Sequence, residues 1–394
     1  MDRKQLRDQI RALYPNIPQV KRFLARKRIE RFQRFNLSED LVIRGERNLD
    51  EKREIVENAW AVSGKHLASL KKNIDKIFAN AQEYKGRTDL DEVRTDMMFC
   101  RFAYGFQPDE YLCFQLEKKS PEERKQFISD IERNCFVFSA NDIKDVQILN
   151  NKIKTYQRFQ KYYQRDAVGI NSSKDYNAFH RFVEKHPVFV KKAVFQSMGR
   201  SVERVDLAGS KQTERELFDA WIGLGPHILE EQVIQSQATA ALNASSVNTV
   251  RCITLNTKHG VETLYTFMKI GRQGSFVDNG GAGGILVGID KERGVFNTDG
   301  FDEYHNRYVA HPDSGVTFKG YQLPDWQQML DMCKEMSKSV PSLKYIGWDM
   351  ALSENGWVVI EGNGMSQFIG PQIVWERGIK SEIESYMKDM DLII

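Results

Sequence analysis

The sequence is poor in the residues that staple extracellular or metal-built folds. Only 5 of its 394 residues are cysteine, at positions 100, 113, 135, 252 and 333, and no two form a Cys-x-x-Cys pair. That excludes a disulfide framework and a cysteine-rich zinc site, and it fits a reducing cytoplasm. The 7 histidines (66, 180, 186, 227, 259, 305 and 311) are spread without ligand spacing, which speaks against zinc chemistry. No stretch approaches the roughly 18 apolar residues that a membrane span requires. The opening Met1-Asp2-Arg3-Lys4-Gln5-Leu6 runs on into charge and lacks the apolar segment of a signal peptide. Also missing are the G-x-x-x-x-G-K-[ST] phosphate loop, a G-x-G-x-x-G after a strand, H-E-x-x-H and the G-x-S-x-G elbow. Any nucleotide held here is held by other means. A net charge of +3 names no nucleic-acid partner, and none is expected.

What is present is enough apolar surface for a large core. The chain carries 23 Phe, 14 Tyr and 6 Trp, so disorder is disfavoured and two or three domains are expected. Residues 1–90 hold few glycines, many charges and helix-spaced apolar positions such as Ile55, Ala59 and Val62. We expect a helical region there. Within residues 21–34, seven basic side chains (Lys21, Arg22, Arg26, Lys27, Arg28, Arg31 and Arg34) face a single acid, Glu30. Such a run is either a solvated helix face or a patch for an anionic surface or partner.

A mixed α/β region is expected over 91–165. Ser120-Pro121-Glu122-Glu123 reads as a capped helix start. Cys135-Phe136-Val137-Phe138 reads as a short strand, and Asp145 to Tyr163 as one long basic-aromatic helix. From 186 onward, strand patterns at 188–190, 228–234, 249–256, 261–270, 284–289, 344–352 and 357–361 alternate with glycine-rich loops. Hairpins with helices between them indicate an α+β fold rather than regular βαβ alternation. We place the boundaries at 166–233 for a small lobe and 234–394 for a large one.

The most informative segment runs from Lys344 to Asn363. Two β-prone runs flank Ser353-Glu354-Asn355-Gly356, so a hairpin is expected, with Glu361 and Asn363 on one face. A two-residue Asn355-Gly356 turn would set Asp349 opposite Gly362. A three-residue loop, 354–356, would set it opposite Glu361, and we expect the latter. Two carboxylates and an amide carbonyl then gather at one place, a donor set suited to Mg²⁺. Acids that simply face water are the bland reading, weakened by Gly362 and Gly364, which would admit a ligand to the backbone.

Two further features carry charge into strands. Lys191 and Lys192 end the run Val188-Phe189-Val190. A strand lysine reaches nucleotide phosphates while a loop such as Ser197-Met198-Gly199-Arg200-Ser201 folds its N–H groups over the rest. On their own, such lysines are more often merely solvated. Arg251 sits inside the β-branched run Asn248–Leu255. Pointing inward it requires an anion, either a structural carboxylate or a transferring phosphoryl group.

Taken together, these residues resemble the ATP-grasp superfamily, in particular its sugar-transfer-associated branch. Asp349 followed by Glu361-Gly362-Asn363 is similar to the family's late metal signature, and Val190-Lys191 with Ser197-Met198-Gly199 to its glycine-rich hairpin. Leu229-Glu230-Glu231-Gln232-Val233 resembles the hinge that holds adenine. Ser246–Arg251 resembles the arginine strand, and Leu149-Asn150-Asn151-Lys152 the lysine that opens the ATP region. Phe276–Asn279 before paired glycines resembles the place where glutamate-ligase-type members carry an asparagine. His311–Gly315 and Pro324-Asp325-Trp326 also look like pieces of this branch, over roughly 95–375. Lys192 stands where a proline commonly follows the lysine, and Gln235 or Gln237 where a ribose-binding acid is usual.

The resemblance implies two α+β lobes clasping ATP, preceded by the helical region. It implies an ADP-forming carboxylate–amine ligase acting through an acyl phosphate, with ATP and Mg²⁺ as cofactors. Asp349, Glu361 and Asn363 would hold the metal. Lys152 and Lys191, with Ser197, Gly199 and hinge residues Glu230, Glu231, Gln232 and Val233, would hold the nucleotide. Arg251 and Asn279 would act on the transferring phosphoryl group. Arg272, His311 and Lys319 are substrate candidates. The partners would be an amine and a small-molecule or saccharide carboxylate, as in surface-polysaccharide synthesis. A kinase with a hydroxyl acceptor and a non-catalytic nucleotide-binding scaffold are the alternatives.

Overall fold

The computed structural model describes residues 30, 36–64, 67–142, 144–195, 202–276, 278 and 283–392. The basic segment 21–34 lies outside them apart from Glu30. Two compact units divide the chain: one takes the residues up to Lys144 with Phe301–Arg307 and Gln367 onward, the other Asp145–Gly300 and Tyr308–Ser366.

The first unit is helical. Helices α1 (Glu39–Arg47), α2 (Leu49–Ser63), α3 (Ala68–Asn80), α4 (Leu90–Ala103), α5 (Pro108–Cys113), α6 (Pro121–Arg124) and α7 (Asp130–Ala140) are joined by two late helices, Ile369–Val374 and Lys380–Asp389. The start at Ser120 is as expected: its hydroxyl and Glu123 form a reciprocal cap ahead of Pro121. The strand expected at 135–138 is instead the middle of α7. Ser129 accepts from the Glu132 N–H and Glu132 accepts from the Ser129 N–H, so a capping box starts a helix through a short apolar run that periodicity alone cannot assign. A buried ion cluster ties the helices together: Arg124 reaches Asp96 at 2.7 Å and Glu46 at 3.2 Å, and Lys52 reaches Asp96 at 2.6 Å.

The second unit holds both sheets. Its first helices are α8 (Val146–Asn150) and α9 (Lys152–Tyr163), a break in the single long helix expected there. Asn151 is extended, and its side chain accepts from the Lys154 N–H at 3.1 Å, so a fresh N-cap puts Lys152 at the head of α9. Next come β1 (Ala167–Ile170), α10 (Tyr176–Lys185), β2 (Val188–Ala193), β3 (Val202–Asp206), α11 (Glu214–Gly223) and β4 (His227–Glu231). These strands form an antiparallel sheet in the order β1-β4-β2-β3. One face packs on α10 and α11 through Phe179, Phe182, Phe189, Phe218 and Trp221.

A seven-stranded sheet follows, with β5 (Thr249–Thr257), β6 (Gly260–Ile270), β7 (Ile285–Ile289), β8 (Phe296–Phe301), β9 (Arg307–Tyr308), β10 (Tyr345–Ser353) and β11 (Gly356–Asn363) in the order β11-β10-β5-β6-β7-β8-β9. Helix α12 (Trp326–Lys338) covers one face, where Val250, Cys252, Met268, Trp348 and Met350 are buried with Met329, Cys333 and Met336. Alternation sends the remaining side chains of β5, β6 and β10 to the other face. All five cysteines are buried and free. Among the described residues no helix is long and apolar enough to cross a membrane.

Candidate functional site

The β10–β11 hairpin closes differently from expectation yet delivers the same pairing. Ser353 pairs with Gly356 across a two-residue Glu354-Asn355 turn, and Gly356 takes φ +107°, a conformation that favours glycine. That register alone would pair Asp349 with Ile360. A bulge between Asp349 and Met350 leaves Ile360 without a partner in the ladder and brings Asp349 opposite Glu361. The glycines expected to admit a ligand instead make room for the core. A Cβ on Gly362 would stand 2.6 Å from Trp348, and one on Gly364 would stand 3.3 Å from Val146.

Register builds the rest of this face. Asp349 pairs with Arg251 on β5, and Arg251 with Phe267 on β6, which puts Lys269 two residues further along on the same side. Arg251 grips Asp349 at two points, Nε to Oδ1 at 2.6 Å and Nη2 to Oδ2 at 2.9 Å, and donates to Ser366 Oγ at 2.9 Å. Lys269 Nζ reaches Asp349 Oδ2 at 3.0 Å. Asp349 is 2% exposed. Burial would raise its pKa, but the two cations outweigh that and hold it well below the usual carboxylate range. Glu361 behaves oppositely: burial and the neighbouring Asp349 charge push its pKa up against Lys269, Lys152 and Arg251. Asn363 Oδ1 accepts from the Met365 N–H at 2.9 Å. Asp278 is also buried here and accepts from the Thr249 N–H and hydroxyl, with burial raising its pKa.

The smaller sheet separates the two strand lysines. Lys191 turns to the helix side, over the Trp221 ring at 4.6 Å and against Glu203 at 2.8 Å. Lys192 faces the other way and meets Glu230 at 3.0 Å. Arg165, in the link from α9 to β1, holds the same carboxylate, with Nη2 and Nε at 2.5 and 3.0 Å from Oε2. Glu230 is driven down to about 2 despite its burial, because Lys192 and Arg165 prevail. Lys152 lies within electrostatic reach of this group and of Glu361; its pKa is lowered chiefly by burial, while Glu361 opposes the shift. Among the expected residues, the structure therefore draws Lys152, Glu230, Arg251, Asp349 and Glu361 into one electrostatic network, with Asn363 on the face of Glu361. It places Lys192 there rather than Lys191.

Other expected residues sit elsewhere. Glu231 exchanges backbone and side-chain bonds with Asp166, which also takes Lys185 and His186 as partners. Gln232 accepts from Arg204 at 3.4 Å, and half-buried Val233 follows it at the start of the linker from β4. Gln235 is committed to carbonyls of Asn243 and Ser246 and to the Asn248 N–H. Arg272 and His311 belong to one loop pair: Arg272 forks onto Asp313 at 2.8 and 3.0 Å. His311, fully buried, donates from Nε2 to the Gly271 carbonyl and accepts two backbone N–H groups at Nδ1. Lys319 pairs with Asp299 at 3.0 Å. Each has a local structural partner. Ser197, Gly199 and Asn279 lie outside the described residues. Lys269 and Arg165 escaped the sequence reading; a cation in an apolar strand, the signal that marked Arg251, is present at Lys269 too.

Two carboxylates, an arginine and lysines thus converge from two sheets. The sugar-transfer-associated ATP-grasp family model matches residues 132–388. The chain belongs to that family. Membership gives it the ATP-grasp fold of two α+β lobes. Comparison with curated proteins gave no match. Among solved structures, the chain is similar to the ATP-grasp ligase PsnB complexed with a minimal precursor: 12% identity, 64% of each chain covered, TM-score 0.41. It is also similar to D-alanyl-alanine synthetase A from Vibrio cholerae, at 12% identity over 62% of this ATP-grasp chain and 65% of that one, with a TM-score of 0.39. N5-carboxyaminoimidazole synthase from Aspergillus clavatus gives 11%, 64%, 54% and 0.37 in the same order. The chain thus spans just under two thirds of the first of these relatives.

Proposed function

We propose that this ATP-grasp protein is a carboxylate–amine ligase that activates a carboxylate as an acyl phosphate. The observation that carries the reading is the contrast between buried Asp349 and half-buried Glu361. Asp349 is saturated by Arg251 and Lys269, whereas no described side chain donates to Glu361, which shares its face with Asn363. An uncommitted carboxylate beside an amide carbonyl fits Mg²⁺, with Asp349 able to join once Lys269 turns away. When bound, Mg²⁺ supplies charge neutralisation for the triphosphate.

The chain's own residues supply the rest. Lys152 and Lys192 would anchor phosphate oxygens, and the hinge strand ending at Glu231 would receive adenine. A substrate carboxylate oxygen attacks the γ-phosphorus, the bridging oxygen departs with ADP, and Arg251 and Lys269 balance the negative charge that spreads over the transferring oxygens. The amine nitrogen then attacks the acyl carbon, phosphate leaves with the C–O bonding pair, and the nitrogen gives up a proton. Holding these groups in place accounts for most of what phosphoryl transfer asks of a protein.

A uronic acid or other saccharide carboxylate in polysaccharide synthesis is our choice of substrate class, resting on the family's association with sugar transfer. Five free cysteines suit a cytoplasmic setting. The test is a panel of uronic acids and amino acids with ATP, Mg²⁺ and hydroxylamine. Hydroxamate forming in step with ADP is expected. ADP release on a hydroxyl substrate without hydroxamate would make the protein a kinase instead.

A further inference from the structure

Arg165 is absent from every motif read in the sequence, yet each nitrogen of its guanidinium group donates a hydrogen bond. Its side chain is 4% exposed and that of Glu230 3%. Nε and Nη2 both donate to Glu230 Oε2, while Nη1 donates to the carbonyls of Tyr163 at 3.2 Å and Val359 at 2.8 Å. The guanidinium also stacks over the Tyr163 ring at 4.4 Å. One residue thus ties α9, the hinge strand β4 and the metal-site strand β11 together. Val359 is the last paired residue before the bulge that sets Glu361 in place.

The other oxygen of Glu230, Oε1, holds Lys192 at 3.0 Å. Under the ATP reading, on which this inference rests, that lysine has two claimants, the Glu230 carboxylate and the nucleotide's phosphates. An ammonium that leaves a buried carboxylate with no other counter-ion strands a charge, which is strongly unfavourable. With Arg165 fixed on Oε2, the carboxylate stays compensated when the lysine departs. We propose that Arg165 is a positioning residue that releases Lys192 to the nucleotide, by serving as the permanent counter-ion of Glu230 while its Val359 anchor holds β11 in register. Arg165 itself touches neither substrate nor nucleotide in this scheme.

The proposal predicts a sign that a merely structural role does not. In Arg165→Met, Lys192 is the sole partner of Glu230 and stays there, so Mg–ADP binding measured by calorimetry weakens by about tenfold or more. Glu230→Gln removes the rival claimant, so the roughly tenfold loss of R165M does not appear in it. The double variant R165M/E230Q has no stranded charge, and binding returns to within about threefold of the wild type. Melting temperatures recorded alongside confirm that each titration reports folded protein. If R165M does not fold, Arg165→Lys decides: the lysine keeps the counter-charge, so binding near the wild-type value is expected. Wild-type affinity in R165M, persistent weakness in the double variant, or a loss of about tenfold in E230Q or in Arg165→Lys would overturn the proposal. A wild-type protein that binds no Mg–ADP overturns the ATP reading itself, and this inference with it.

Discussion

Replacing Lys269 by methionine tests whether the face is assembled as described, because this residue entered through the structure alone. Its ammonium is 3.0 Å from an Asp349 carboxylate whose side chain is 2% exposed. At an effective dielectric of about 20, one such contact is worth roughly 5 kcal/mol of gross Coulomb attraction. Desolvation of the ammonium offsets a large part, and breaking a buried pair typically costs about 3–5 kcal/mol when one charge is left uncompensated. Here Arg251 remains on Asp349 through two bonds, so the cost falls at or just below the low end, about 2–3 kcal/mol. For a folded unit of this size, that corresponds to a Tm lower by about 5–10 °C. Calorimetry or circular dichroism at pH 7 reads it. The pH dependence carries a sign as well. Asp349 has a folded pKa below its unfolded one, so the stability it contributes is present above the ordinary carboxylate range and is lost as pH falls through the folded value. The wild type and K269M should therefore converge in acid, below about pH 4. A Tm unchanged within about 2 °C at pH 7, or a gap that widens in acid, would refute the reasoning.

Three further outcomes follow from the same geometry. Glu361→Gln should raise Tm by a few degrees at neutral pH while lowering Mg²⁺-dependent ADP release by at least about a thousandfold. The folded pKa of Glu361 is raised, so its ionised form weakens the fold as pH rises above the usual carboxylate value, and the amide removes that penalty. Gly356→Ala places a side chain at φ +107° with open space around its Cβ, so conformational strain alone should lower stability by about 1–2 kcal/mol in thermal melts. Asp96→Asn in the helical unit leaves Arg124 and Lys52 sharing only Glu46. A loss of about 3 kcal/mol in urea unfolding is expected, and a variant as stable as the wild type would show the cluster to be marginal.

Sequence reading succeeds where chemistry is written into strand alternation and falters where one residue shifts a register. Glu361 and Asn363 share a face because they are two apart in a strand, and Asp349 joins them as expected. The joining, however, depends on a bulge at Ile360 that follows a turn one residue tighter than expected. The two differences in counting cancel, so the pairing is the expected one although the loop is not. Lys191 and Lys192 show the same sensitivity without the cancellation. Adjacent strand residues point to opposite faces, and composition gives no hint of which face meets helices. What decides is Trp221, thirty residues downstream of Lys191, whose ring lies under that lysine and leaves Lys192 to Glu230. The helix at 130–140 replaces an expected strand for a related reason: four apolar residues satisfy either period, and it is the Ser129–Glu132 cap that breaks the tie. Long-range ion pairs are the least legible. Arg165 finds Glu230 across 65 residues and Lys269 finds Asp349 across 80, and neither spacing follows a local rule. Yet these pairs decide which charges on the face are already satisfied and which, like Glu361, receive no hydrogen bond from a described side chain.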